Sequence, residues 1–85
     1  SILLDGKMPI GDLVELLGFE PEGASDVETT AGLVLKLLDR IPSVGDATSI
    51  KKELMDETVE AEFEVIKMDN LRVDTVLLVI DRLPK

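Results

Sequence analysis

The sequence predicts an α+β domain in which two helices pack on one face of a small, mainly antiparallel sheet. Three observations lead there. Val34, Leu37, Leu38 and Ile41 recur at helical spacing, with Lys36, Asp39 and Arg40 forming the solvated side. Val59, Ala61, Phe63 and Val65 alternate strictly with Glu60, Glu62 and Glu64, the period-two signature of a half-buried strand. Val76, Leu78 and Ile80 make a second such row, so the last stretch of the chain reads as a hairpin.

Taken in order, Ile2-Leu3-Leu4 followed by Asp5-Gly6 reads as a short strand ending in a turn. Pro9-Ile10-Gly11 opens a first helix over Asp12 to Leu17. Asp12 and Glu15 suit the positive end of its dipole, and Gly18 suits its C-terminal stop. The acidic stretch from Phe19 to Asp26, with its proline and glycine, reads as a loop. Thr29 can cap the second helix through its hydroxyl, although Ser25 and Glu28 offer a capping box slightly earlier. Gly32 has two readings: a first-turn position where glycine costs little, or a close approach of the helix start to a strand. Pro42 disfavours helical geometry at Ile41, which predicts an end near Arg40.

Residues 47–60 fit either a strand or a short helix starting at Ser49, and the strand is preferred. A turn near Asp56-Glu57 would set Leu54 opposite Val59, Ile50 opposite Phe63 and Lys51 opposite Glu62. At the next hairpin, Asp69-Asn70 suits a two-residue turn because both types tolerate positive φ. That turn would set Phe63 opposite Val76, Ala61 opposite Leu78 and Val59 opposite Ile80, all on one face.

Composition narrows the functional classes. Residues 1–85 are expected to form one domain, and the chain opens on Ser1 without an initiator methionine, as a piece excised from a longer membrane protein would. Phe19 and Phe63 are the only aromatic residues, so the core must come from leucine, valine and isoleucine. A net charge of −9 repels phosphate backbones and anionic lipid headgroups, which argues against nucleic acid and membrane-surface binding. No apolar run approaches the ~20 residues that span a bilayer, which argues against direct membrane insertion. No cysteine is present for a disulfide or a thiolate metal site. With no histidine, cysteine or tyrosine, the usual general bases and nucleophile activators are missing, and no catalytic residue is assigned. Glu60, Glu62 and Glu64 lie about 6.6–7 Å apart along one strand face, a spacing that favours a solvated acidic face over a metal site. No metal ligand and no cofactor ligand is assigned either.

Three segments, "DGKMPIGDLVELLGFE", "TTAGLVLKLLDRIPSVGD" and "FEVIKMDNLRVDTVLLVIDRL", together resemble the CorC/HlyC transporter-associated domain. In that family this is the small C-terminal module of CorC-type magnesium/cobalt efflux proteins and hemolysin-like relatives. The resemblance runs from Leu3 to Leu83. It departs where residues 47–62 are longer than the usual short strand and turn, and where Asn70 stands in place of a frequent glycine. The resemblance implies a non-enzymatic accessory domain on the cytoplasmic side of the cell membrane. It would follow a pair of CBS domains and a transmembrane transport domain of the same parent chain. It also implies a fold like part of the p-cresol methylhydroxylase-type FAD-binding domain. A flavin or adenine nucleotide is suggested by that analogy alone, and the chain has no glycine loop for its phosphates.

One surface stands out as a candidate for partners. If Val76, Leu78 and Ile80 face the core, Leu77 and Val79 must face outward. The hairpin register places Ile66, Met68, Leu71 and Val73 with them. Either these are scattered apolar residues screened by Glu60 and Glu62, or they form a second buried surface against a CBS domain or a symmetric homodimer partner.

Overall fold

The computed structural model describes every residue, Ser1–Lys85. Strand β1 (Ile2–Asp5) leads through a tight loop to helix α1 (Ile10–Leu17). A 3-10 turn at Ala24–Asp26 precedes helix α2 (Thr30–Leu38). Three strands follow, β2 (Ala47–Glu53), β3 (Glu57–Asp69) and β4 (Arg72–Pro84). They form one antiparallel sheet in the order β1-β4-β3-β2. The α+β expectation holds, and residues 47–53 are a strand.

The inner face carries the core. Val59, Ala61, Phe63 and Val65 of β3 and Val76 and Leu78 of β4 are fully buried, as are Leu13 and Leu17 of α1 and Leu33 and Val34 of α2. Leu4 joins them from β1, because its pairing with Val76 puts it on the same face. Leu37 and Leu38 pack at the margin, half-buried. Ile41, expected in the apolar stripe, is 60% exposed. The helix does not reach it: Asp39 takes a left-handed conformation (φ 56°) and stops α2 at Leu38, ahead of Pro42.

At its start α2 is capped as expected, with the Gly32 amide donating to Thr29 Oγ1 at 3.1 Å. Gly32 therefore lies in the first turn. A side chain there would meet Val27 of the preceding loop at 3.2 Å, so the close approach to a strand is not found. Helix α1 ends on Gly18 in the left-handed region (φ 83°), its amide donating to the Val14 carbonyl.

Both hairpin registers differ from expectation by two residues. The β3–β4 turn is Asn70-Leu71, not Asp69-Asn70, and Asn70 takes the positive φ (55°). This pairs Phe63 with Leu78, Ala61 with Ile80 and Val59 with Arg82. The β2–β3 turn falls at Met55-Asp56, and Ile50 pairs with Ala61 and Lys51 with Glu60. Moving a turn by one residue moves the register by two, which is one side-chain period, so the shift by itself turns no residue to the other face.

A larger correction lies at the Asn70 end of β3 and β4. The pairing skips Ile66 on β3 and Asp74 on β4, giving one extra residue on each strand. Each extra residue reverses the in–out alternation beyond it. Val73 and Met68, expected on the outer face, turn inward: Val73 is 3% exposed within the core, and Met68 packs against it.

Beside these irregularities sits Gly6. Its amide donates to the Asp74 carbonyl at 2.8 Å, and its own carbonyl accepts from the Ala31 amide at 2.9 Å. A Cβ on Gly6 would stand 2.1 Å from the Val73 carbonyl oxygen. Gly6→Ala is therefore expected to destabilise by at least about 3 kcal/mol, beyond the common overpacking range. Gly11→Ala, in the open first turn of α1, should be neutral or gain up to about 1 kcal/mol. Leu33→Ala should cost roughly 2–5 kcal/mol and the half-buried Leu37→Ala clearly less, all read from urea unfolding.

Candidate functional site

The helices cover one face of the sheet, and the other face is the candidate surface. Leu77 and Val79 point outward as expected, each half-buried by its neighbours. Ile66 is exposed at the irregularity of β3 (37%). Leu71 is 66% exposed at the hairpin turn, away from the centre of that face. With Val73 and Met68 turned inward, the expected six-residue patch reduces to Leu77, Val79 and Ile66. The structure adds Leu3, 65% exposed, which β1 sets directly beside Leu77. That pairing was hidden from the sequence because nothing local says which strand β1 joins.

Beside this apolar strip runs an acidic row. Glu64 pairs across β4 with Leu77, Glu62 with Val79 and Glu60 with Asp81. Lys51 sits across from Glu60 on β2. The four ion pairs of the structure join Lys36 to Asp26, Arg40 to Asp46, Arg82 to Glu57 and Lys85 to Glu53, so none involves Glu60, Glu62, Glu64 or Asp81. No group of three or more acidic side chains is gathered as a metal ion would require.

Two polar features fix the scaffold under this face. Arg82, at the inward end of the β4 row, donates to the Leu17 carbonyl at 2.6 Å and to Glu57 Oε2 at 3.2 Å. It satisfies a carbonyl that the end of α1 leaves without a helical partner, and so ties that helix to β3 and β4. Sequence reasoning passed over Arg82, though its parity with Val76, Leu78 and Ile80 places it on the inner face. At the entry to β2, Asp46 Oδ2 accepts from the Ser43 amide at 2.8 Å and pairs with Arg40 at 3.0 Å. The Ser43 hydrogen bond, then Arg40, holds the Asp46 carboxyl below its ordinary value. Glu53 is lowered in the same direction by Lys85 and then Thr58.

A cleft of about 310 Å³ lies at the opposite end, between the Gly6 loop, the start of α2 and the β3–β4 turn; Asp5, Lys7, Asp69, Arg72 and Asp74 are among its walls. No helix of the structure is long and apolar enough to cross a membrane.

The family described as CorC_HlyC, "Transporter associated domain", matches residues 1–82. The chain belongs to this family. The CorC_HlyC domain of a hemolysin-type protein from Corynebacterium glutamicum superposes with a TM-score of 0.79 at 24% identity, covering 93% of this chain and 89% of that one. A conserved domain from Neisseria meningitidis MC58 gives 0.67 at 26% identity, covering 93% and 95%. The transporter-associated domain of a CBS domain protein from Porphyromonas gingivalis gives 0.57 at 26% identity, covering 87% and 80%. Comparison with curated protein sequences gives no match. In this CorC/HlyC domain the glycine of the Asp5-Gly6 turn has a physical reason: Gly6 has no room for a side chain.

Removing Arg82 leaves the Leu17 carbonyl without its charged donor, so Arg82→Met is expected to cost about 1.5–3 kcal/mol in urea unfolding. The pH dependence follows from the lowered carboxyls. Their contribution is complete above the ordinary values of 3.8 for Asp46 and 4.5 for Glu53, and is lost as pH falls through the lowered folded values. Asp46→Asn should lower the thermal midpoint at neutral pH, and its difference from the parent should shrink as the pH falls below 3.8.

Proposed function

We propose that the domain is a non-enzymatic regulatory or interaction module of a divalent-cation transporter, of the magnesium/cobalt efflux or hemolysin-like kind. It works on the cytoplasmic side of the membrane. The reading gives it the CBS domains and the transport domain of its parent chain as partners. The observation that carries it is the family match over residues 1–82, to which the neighbour from a CBS domain protein adds support. The surface it would use is the outer sheet face around Leu77 and Val79, the face the helices leave open. Docking there would bias the CBS domains, and through them transport, by favouring whichever arrangement presents the better contact.

A small-ligand module for FAD or an adenine nucleotide is the second reading, and the cleft beside Gly6 is where it would act. Asp5, Asp69 and Asp74 on its walls oppose a phosphate group, against Lys7 and Arg72 in favour, which ranks this reading below the first. Thermal unfolding with FAD or ATP is expected to show no stabilisation; a saturable rise in midpoint would reverse the order.

In the parent transporter, Leu77→Lys with Val79→Lys should leave this domain within about 1 kcal/mol of its original stability, since neither side chain belongs to the core. The same pair should change cobalt tolerance of cells that depend on the transporter. Unchanged tolerance with a folded domain would remove the outer face from the function.

A further inference from the structure

The inference concerns what chemistry the outer face accepts, and it rests on the reading that this face docks a partner. Its pattern is two parallel rows. On β4, Leu77 and Val79 continue sideways to Leu3 of β1, giving a narrow apolar strip. On β3, next to it, Glu60, Glu62 and Glu64 stand at alternate positions without ion-pair partners. Asp81 lies directly opposite Glu60, a like-charge pairing that disfavours the sheet itself.

We infer that this face binds a cationic amphipathic segment of another domain, with its apolar residues on Leu3, Leu77 and Val79 and its Lys or Arg residues over Glu60, Glu62 and Glu64. Three alternatives fit less well. A second copy of this chain, related by a two-fold axis, would bring the carboxylate row against itself or press it onto the apolar strip. Either arrangement leaves charges uncompensated as they lose water. An anionic lipid surface is repelled by the same row and by the net charge of −9. A metal ion would need the carboxylates gathered, and they are strung along the strand.

Spacing favours the cationic segment as well. Alternate strand residues are about 6.6–7 Å apart. Lysines four positions apart on a helix rise about 6 Å, so a helix lying along β3 keeps step with three successive carboxylates. The neighbouring strip is one strand away, about 4.8 Å, which is within the width of a helix's apolar stripe. The charged row would steer encounter and fix orientation, while the strip would contribute the desolvated contact.

Two synthetic helices of about 18 residues, roughly five turns, test this. They share one leucine stripe, flanked by lysines in the first and by glutamates in the second. The probe is amide chemical shift of the 85-residue chain, with sedimentation equilibrium for self-association. The lysine peptide is expected to shift Leu77, Val79, Glu62 and Glu64, and the glutamate peptide to shift none of them. Glu62→Gln with Glu64→Gln should weaken the lysine peptide roughly tenfold at about 0.1 M salt. Glu20→Gln with Glu22→Gln, on the exposed loop before α2, should leave the affinity unchanged.

If the loop substitutions weaken binding equally and the shifts spread to Glu20 and Glu22, only net charge is at work and the inference is overturned. If the chain instead forms a dimer that Leu77→Lys dissolves, the partner chemistry assigned here is wrong while docking through this face stands. If neither peptide nor a second copy perturbs Leu77 and Val79, the docking role of the face falls too.

Discussion

Gly6 is the point on which the two layers are joined. Its amide reaches the Asp74 carbonyl of β4, and its carbonyl takes the Ala31 amide at the start of α2. One residue thus links the sheet to the helix layer through backbone alone. The link exists because the register skips Asp74, leaving its carbonyl outside the regular β3–β4 ladder. Around the same point, the Thr30 amide and hydroxyl both donate to the Met8 carbonyl, and the Ile10 amide donates to Glu28. The starts of both helices are therefore fixed to one short loop, and the loop to one irregularity in the sheet. A side chain at Gly6 would push on the Val73 carbonyl and so on all three.

That irregularity also explains which parts of the fold were legible. The period-two rows at Val59–Val65 and Val76–Ile80 are local and strict, and the structure keeps every inward assignment in them. Their registers were displaced because a turn can be placed only to within a residue by composition. Asn70 holds the positive φ in either placement, so residue type did not decide between them. The error was harmless to the faces because two residues is a full period. The inward turn of Val73 and Met68 is different in kind. The apolar pairs Val65–Met68 and Val73–Val76 are each three apart, a spacing no regular strand can put on one face. That spacing was the available signal for an extra residue on each strand.

Arg82 and Leu3 were missed for another reason. Both act through partners distant in the chain, Leu17 for the first and Leu77 for the second. Periodicity assigns a residue to a face; it does not say what lies over that face or beside it. The candidate surface was accordingly half legible. Its strand β4 members were read from parity, its β1 member needed the sheet order, and two expected members lay beyond an irregularity that parity alone does not cross.

The one-sided core makes the outer face informative. All of the fully buried apolar side chains lie between the sheet and the helices, so the fold's stability draws little on Leu3, Leu77 or Val79. A strand that faces water on one side is best served there by polar residues, as Glu60, Glu62 and Glu64 serve β3. Leucine and valine at the matching positions of β4 add nothing the fold needs, and they expose apolar area next to a sheet edge. The acids beside them keep the strip soluble while it is uncovered, and they would set the sign of whatever covers it. Side by side, the two rows are where the inferred docking would act: the strip would give a cationic segment its desolvated contact, and the acids would select it by charge over a second copy of the chain.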